Sequence, residues 1–343
     1  MIPSWRFLNR HSSISHETHH WPLPWGSLVL APPYRDANGG QEASLFVKQT
    51  YWRTKGILGP GSTVRLGRFE FIDGQEITPK DPTLAWLKRE RVSHRLLGNF
   101  GFTHVQRSFD GGHAAWTRTG GRGHSNLTLF AGMPTAGVFD LDGGATLDEV
   151  KVGYAAVTQS ITREKMKGEI RLFGLHYLDA RDGVTKIDNR PARARMADRE
   201  NVVISTVGGP AMVAVDSRRG KVDGLLWGAY QFGDFGKLSH RAFSLLAELG
   251  FQPKSVALSP WIRVGVLHSS GDGKASDDKH RTFFPVLVTP RLYARFPFYT
   301  LSNLNDAFAQ VVMRPSPRLS IRSDVHCLWL ADSSDLWYVG GGA

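Results

Sequence analysis

Ser239-His-Arg-Ala-Phe-Ser-Leu-Leu-Ala-Glu-Leu-Gly-Phe-Gln252 alternates in a way that decides the fold class. In an extended chain successive side chains point to opposite faces. Phe243, Leu245, Ala247, Leu249 and Phe251 then share one face, and Ala242, Ser244, Leu246, Glu248, Gly250 and Gln252 share the other. Pro317–Leu330 behaves the same way, with Arg318, Ser320, Arg322, Asp324 and His326 opposite Leu319, Ile321, Ser323, Val325, Cys327 and Trp329. Period two over such lengths predicts β-strands. A hydrated pore with lipid outside needs this pattern, and a soluble sheet with one wet face gives it equally.

Outward from there, Gly, Pro, Asp and Asn divide the chain from Leu45 onward into short segments, as in an antiparallel all-β protein. The expected strands are Leu45–Thr54, Thr63–Asp73, Phe102–Phe109, Gly112–Arg118, Ser125–Met133, Leu147–Gln159, Gly168–Asp179, Val202–Thr206, Lys221–Gly233, Ser239–Gln252, Pro260–Ser269, Asn303–Arg314 and Pro317–Leu330. Those of about 10–14 residues exceed the ~5–6 usual in globular sheets and match a tilted membrane crossing. Short turns such as Gly233-Asp-Phe-Gly236 and Arg314-Pro-Ser-Pro317 contrast with long ones such as Asp179–Asn201, the outer-membrane arrangement. One helix is expected, Thr83–Leu97, with Pro82 ahead, Thr83 able to cap, and Gly98 behind the basic last turn. Residues 1–44 show no period and read as an irregular segment.

The 343 residues hold 42 Lys+Arg against 31 Asp+Glu, a net charge of +11 that favours an anionic partner. At 41% hydrophobic the chain is too apolar to be disordered, and no run approaches the ~18 apolar residues of a membrane helix. The single cysteine, Cys327, excludes a disulfide scaffold and a cysteine-based zinc site. Met1–His11 lacks the apolar core of a signal peptide, and Trp337–Ala343 completes neither helix nor strand. The expectation is a piece of a longer exported protein, its signal peptide lost by truncation.

His16-Glu-Thr-His-His20 matches the zinc-protease pattern H-E-x-x-H, with His16 and His20 as ligands and Glu17 as base. Pro22, Pro24 and the serines before it deny the helix that chemistry requires, so it reads as a polar loop and no metal is expected. Asp272, Asp277 and Asp278 miss the calcium-loop spacing and lie beside Lys274 and Lys279, which points to a solvated loop. Arg190, Arg193, Arg195 and Arg199 form a basic cluster without the interleaved aromatics that stack on bases, so no nucleic acid is expected. It is either a solvated loop or a basic loop over a pore. Dinucleotide, P-loop and nucleophile-elbow motifs are missing, which argues against an enzyme and against a cofactor. Lys48, Arg53, Arg65, Arg68, Arg107, Arg118, Arg171, Arg263, Arg318 and Arg322 fall inside expected strands. On a soluble sheet they would face water. In a barrel they would line the lumen and draw an anionic solute, since charge on the lipid face is costly.

Val64-Arg-Leu-Gly-Arg-Phe-Glu-Phe71, Arg107-Ser-Phe-Asp-Gly111, Phe251-Gln-Pro253, Ser269-Ser-Gly-Asp272, Thr282-Phe283 and His326-Cys-Leu-Trp-Leu-Ala-Asp332 occur in an order that resembles the alginate export family of outer-membrane porins. The likeness runs from about Leu45 to Ala343. It implies an eighteen-stranded antiparallel transmembrane β-barrel with an Arg-rich lumen, passing anionic polysaccharide without a cofactor. Arg68 with Glu70, Arg107, Arg263 and Arg322 match positions that would carry the lumen charge, and Arg190, Arg193 and Arg195 would form a basic loop. The expectation is thus an all-β porin-type barrel, incomplete in this chain, with residues 1–44 outside it and 45–343 forming it. It would lie in outer-membrane lipid and pass an acidic polysaccharide such as alginate or a small anionic solute. The alternative is a soluble all-β carbohydrate-active protein, a polysaccharide lyase or binding module.

Overall fold

The computed structural model describes residues 45–339 apart from 102, 104, 122, 138–143, 290–299 and 317. The chain divides into two units, 1–44 and 45–343, and every described residue belongs to the second. The His16–His20 motif therefore lies outside the described residues.

Among the described residues thirteen strands form one sheet: β1 (Thr50–Lys55), β2 (Ser62–Phe69), β3 (Phe109–Gly120), β4 (Gly123–Pro134), β5 (Val150–Thr162), β6 (Met166–Asp179), β7 (Val202–Asp216), β8 (Gly220–Phe235), β9 (Leu238–Pro253), β10 (Trp261–Ser269), β11 (Lys279–His280), β12 (Leu304–Ser316) and β13 (Leu319–Leu330). Apart from β11, each strand pairs antiparallel with its neighbour in chain order, and β11 adds a short parallel pairing to β9. Among the described residues β1 and β13 are the two edges, and no ladder joins them. Because the meander alternates direction, the turns β1–β2, β3–β4, β5–β6, β7–β8, β9–β10 and β12–β13 share one end of the sheet. At the other end lie the long connections 70–108, 135–149, 180–201 and 270–303, with one tight hairpin at Gly236, whose φ of +64° suits glycine.

Three expectations change. Val202–Thr206 is the start of a strand that runs on to Asp216. The Gly208-Gly209-Pro210 stretch does not end it. A Cβ on Gly208 or Gly209 would collide with the carbonyl oxygen of Gly228 or Arg171, so these glycines permit close strand approach. Pairing with β6 lapses only around Pro210, which has no N–H to give. The described residues before Phe109 in the expected strand Phe102–Phe109 are not in a strand; β3 begins at Phe109 and absorbs the segment expected at Gly112. The helix is shorter than Thr83–Leu97: α1 (Pro82–Leu87) passes into a π-helical turn, Lys88–Val92. Asp81, not Thr83, caps it, accepting the N–H groups of Thr83 and Leu84, and Ser93 turns extended behind it.

Burial is inverted relative to a soluble protein. Leu172, Leu226, Leu249 and Val266, on the outward face, are 68%, 63%, 64% and 58% exposed, whereas Glu169, Arg171, Asp223 and Arg263 beneath them are no more than 1% exposed. Phe243, Leu245, Ala247, Leu249 and Phe251 all stand on this outward face, opposite the buried Ser244, Leu246 and Glu248. A continuous apolar exterior of this extent is unstable in water and suited to lipid.

Candidate functional site

The inward face is where charge collects, and segment 70–108 fills it. From β2 the chain runs to the short-turn end at Asp81, forms α1, and returns to β3. Leu84, Trp86, Leu87, Val92, Leu96 and Leu97 bury against the wall, with Trp86 meeting Trp261 at 4.6 Å. Apolar packing seats the segment, and ion pairs then fix its register.

Each of those pairs joins a wall charge to an opposite charge on the segment. Glu76 binds Arg171 at 2.7 Å, and Lys88 binds Glu169 at 2.5 Å. Asp81 binds Lys221 at 3.0 Å and Lys167 at 3.4 Å. Arg91 approaches Glu248 at 3.3 Å. Arg95 lies over the Trp227 ring at 4.9 Å. Apart from the half-buried Lys167 and Lys221, these groups are buried, where an unpaired charge would be costly, so alternate strand positions carry partners rather than free charge.

The residues singled out from the sequence fall into four places. Arg263 lies on the inward face of β10, bonded to Asp223 and, at 2.8 Å, to Glu248, between the rings of Trp261 at 5.0 Å and Trp86 at 5.6 Å. Arg322, on edge strand β13, is more open and reaches Asp324 at 3.0 Å and Glu90 of the segment at 3.6 Å. Arg68, Glu70 and Arg107 gather towards the long-loop end. Arg68 pairs with Asp110 at 2.7 Å across the β2–β3 ladder, on the side opposite Phe69, and donates to the carbonyl of Gly144. Glu70 takes Lys48 at 2.8 Å and the Asn99 amide at 3.0 Å. Arg107 donates to the carbonyls of Gly98 and Leu287, and burial pushes its guanidinium down to about 10.

In connection 180–201, Arg190 is bound by Asp188 at 2.7 Å and Asp198 at 3.0 Å. Burial works against its charge, but those two bonds outweigh it and raise its pKa. Arg193, on α2 (Ala192–Ala197), is exposed, and Arg195 is half-buried. Asp272 and Asp277 are both bonded to Arg281. Among the described residues no three His, Cys, Asp or Glu side chains converge as a metal site.

Sequence patterning singled out neither the wall carboxylates Asp223 and Glu169 nor the segment charges Glu76, Asp81 and Lys88. Glu248 stood on the polar face of its strand and was readable there. The segment residues have no strand period, and only their seating in the sheet reveals them. Besides Arg107, Asp73 and His94 of the segment titrate well away from their usual ranges. Burial pushes Asp73 up to about 6, with Arg171 opposing, while its carboxylate accepts the Leu97 N–H at 3.0 Å. Burial pushes His94 down to about 4.

What open space remains beside the segment includes a cavity of about 340 Å³ at the short-turn end, lined in part by Lys80, Asp81, His124, Ser160 and Lys167. The arrangement is a charged interior face beneath an apolar outward face.

Comparison with known proteins agrees with that reading. No curated protein matches the chain. Residues 43–343 match the family model described as alginate export. The chain belongs to the alginate export family of outer-membrane porins.

Proposed function

We propose that residues 45–343 form the wall of a channel that passes an anionic polysaccharide of the alginate type, or a smaller anionic solute, without catalysis. One observation supports this most: apolar side chains are exposed around the outer face while ionised ones are buried within. The basic charge along the path would come from Arg263 and Arg322 on the wall, and from Arg107, with Glu70 nearby, at the long-loop end; Arg68 stands on the outward face with Leu66, opposite the buried Phe69, and is left out of the path. Arg190, Arg193 and Arg195 would meet the solute in connection 180–201.

The solute shares the interior with segment 70–108, whose carboxylates already hold Arg171, Lys167 and Lys221. Selectivity then follows the cations left over, and Arg322 is the most open of those named for the wall. Planar-bilayer recording in a salt gradient tests this. The expected result is a current carried mainly by anions, reduced by soluble uronate oligosaccharides and shifted towards cations by Arg322→Gln. A chain that stays in the aqueous phase without detergent, or a current that is cation-selective, would overturn it.

A further inference from the structure

Exposed cations stand at both ends of the sheet, and at the short-turn end they sit directly against the outward apolar face. At the long-loop end several cations are bound, Lys48 to Glu70, Arg181 to Asp179, Arg190 to Asp188 and Arg281 to Asp277, while Arg193, Lys237 and Lys279 are exposed. At the short-turn end the turns carry Arg163 and Lys165 (β5–β6), Arg218 and Arg219 (β7–β8), Lys254 (β9–β10) and Arg318 (β12–β13). All six are exposed, and none has an ion-pair partner among the described residues. The nearby carboxylates are Glu164 and Asp216, and Asp216 lies 3.8 Å from Lys221. Like charges this dense repel one another unless something anionic lies against them.

We propose that this ring binds the anionic headgroups of phospholipids in the leaflet around the short-turn end. Two observations favour lipid over solute. Each turn follows directly on the outward apolar face, with Ile161 and Met166, Val215 and Val222, Phe251, and Leu319 exposed at its base. By contrast, the cations that point inward at this end, Lys167 and Lys221, are already held by Asp81. A headgroup sits where an acyl chain meets the apolar face and its phosphate meets the turn cations. The ring thereby fixes the depth and tilt of the sheet. The inference rests on the outer face meeting lipid.

The test uses the full chain in nanodiscs of phosphatidylcholine mixed with phosphatidylglycerol, released into detergent for native mass spectrometry. At about 1 kcal/mol, or roughly fivefold, per cation near a lipid surface, phosphatidylglycerol is retained strongly over phosphatidylcholine. Arg163→Gln, Lys165→Gln, Arg218→Gln and Arg219→Gln together reduce that preference more than tenfold. Arg→Lys changes at the same arginines keep it, and salt weakens it in the unaltered chain. Equal retention of the two lipids, or a preference the glutamine variant keeps, overturns the lipid assignment. So does a glutamine variant that keeps the lipid but no longer binds a soluble uronate oligosaccharide, which gives the ring to the solute. A chain that never enters the nanodisc overturns the barrel reading beneath it instead.

Discussion

Replacing Leu226 by Arg isolates the one property that separates a lipid-facing sheet from a wet one. Leu226 is 63% exposed on β8, opposite Ala247 of β9 and Ala211 of β7, with outward apolar neighbours on both sides. In water, an arginine at so exposed a site changes stability by no more than ~0.5 kcal/mol. In lipid the price depends on depth. The exposed apolar residues of β8 run from Val222 to Phe232, which puts Leu226 close to the middle of the band. With a strand rise of ~3.4 Å and a tilt of ~40°, Phe232 lies about 16 Å further along the membrane normal. That is beyond the half-height of an apolar band ~25 Å tall. Leu226→Arg should therefore destabilise by ~2–4 kcal/mol relative to Leu226→Ala, and Phe232→Arg by only ~0–1 kcal/mol relative to Phe232→Ala. Reversible denaturant titration of folding into phosphatidylcholine vesicles measures both. Equal small losses at the two sites, or cooperative folding without lipid or detergent, would refute the reasoning.

Three further outcomes follow from the interior. Arg263→Met leaves Asp223 with Trp261 as a remaining partner and Glu248 with Arg91, and should destabilise by ~3–5 kcal/mol in the same titration; combining it with Asp223→Asn and Glu248→Gln should restore most of that. A loss under ~1 kcal/mol for the single change would mean the triad is not buried as described. Asp73 has a folded pKa of about 6, above its unfolded value, so its contribution is full below pH ~4 and is lost as pH rises through about 6. Asp73→Asn should flatten that decline, on the order of 2–3 kcal/mol, in hydrogen exchange of segment 70–108 across this range; an unchanged pH profile would count against it. Glu76→Gln weakens the hold on Arg171, loosening the segment by ~1–3 kcal/mol, and should raise both single-channel current and anion preference; a current equal to that of the unaltered chain would show that the segment does not limit the path.

Much of the fold was legible in the chain because a strand has the shortest period in protein structure. Ser239–Gln252 displayed both its faces in one reading, and β9 occupies almost those bounds. The chain around Gly208 and Gly209 was misread because glycine marks a break when seen along the chain, and a close approach when seen across it. The helix was over-extended because Arg91, His94 and Arg95 resemble a basic last turn. Arg91 and Arg95 instead turn inward, against Trp86 and Trp227.

The sequence by itself determined that the chain is an all-β meander of alternating strands, with arginines set on them and a family likeness from about Leu45 onward. Alternation is local, and a sheet can be read from it without knowing what lies on either side. Which face met water was decided only by the tertiary structure. Segment 70–108 seats itself on the charged face, its carboxylates and cations pair with the wall, and the apolar face is left outside. Those contacts join residues more than eighty positions apart, such as Lys88 with Glu169 and Glu76 with Arg171. No local pattern encodes them, because the free energy that selects them appears only when the sheet and the segment pack together.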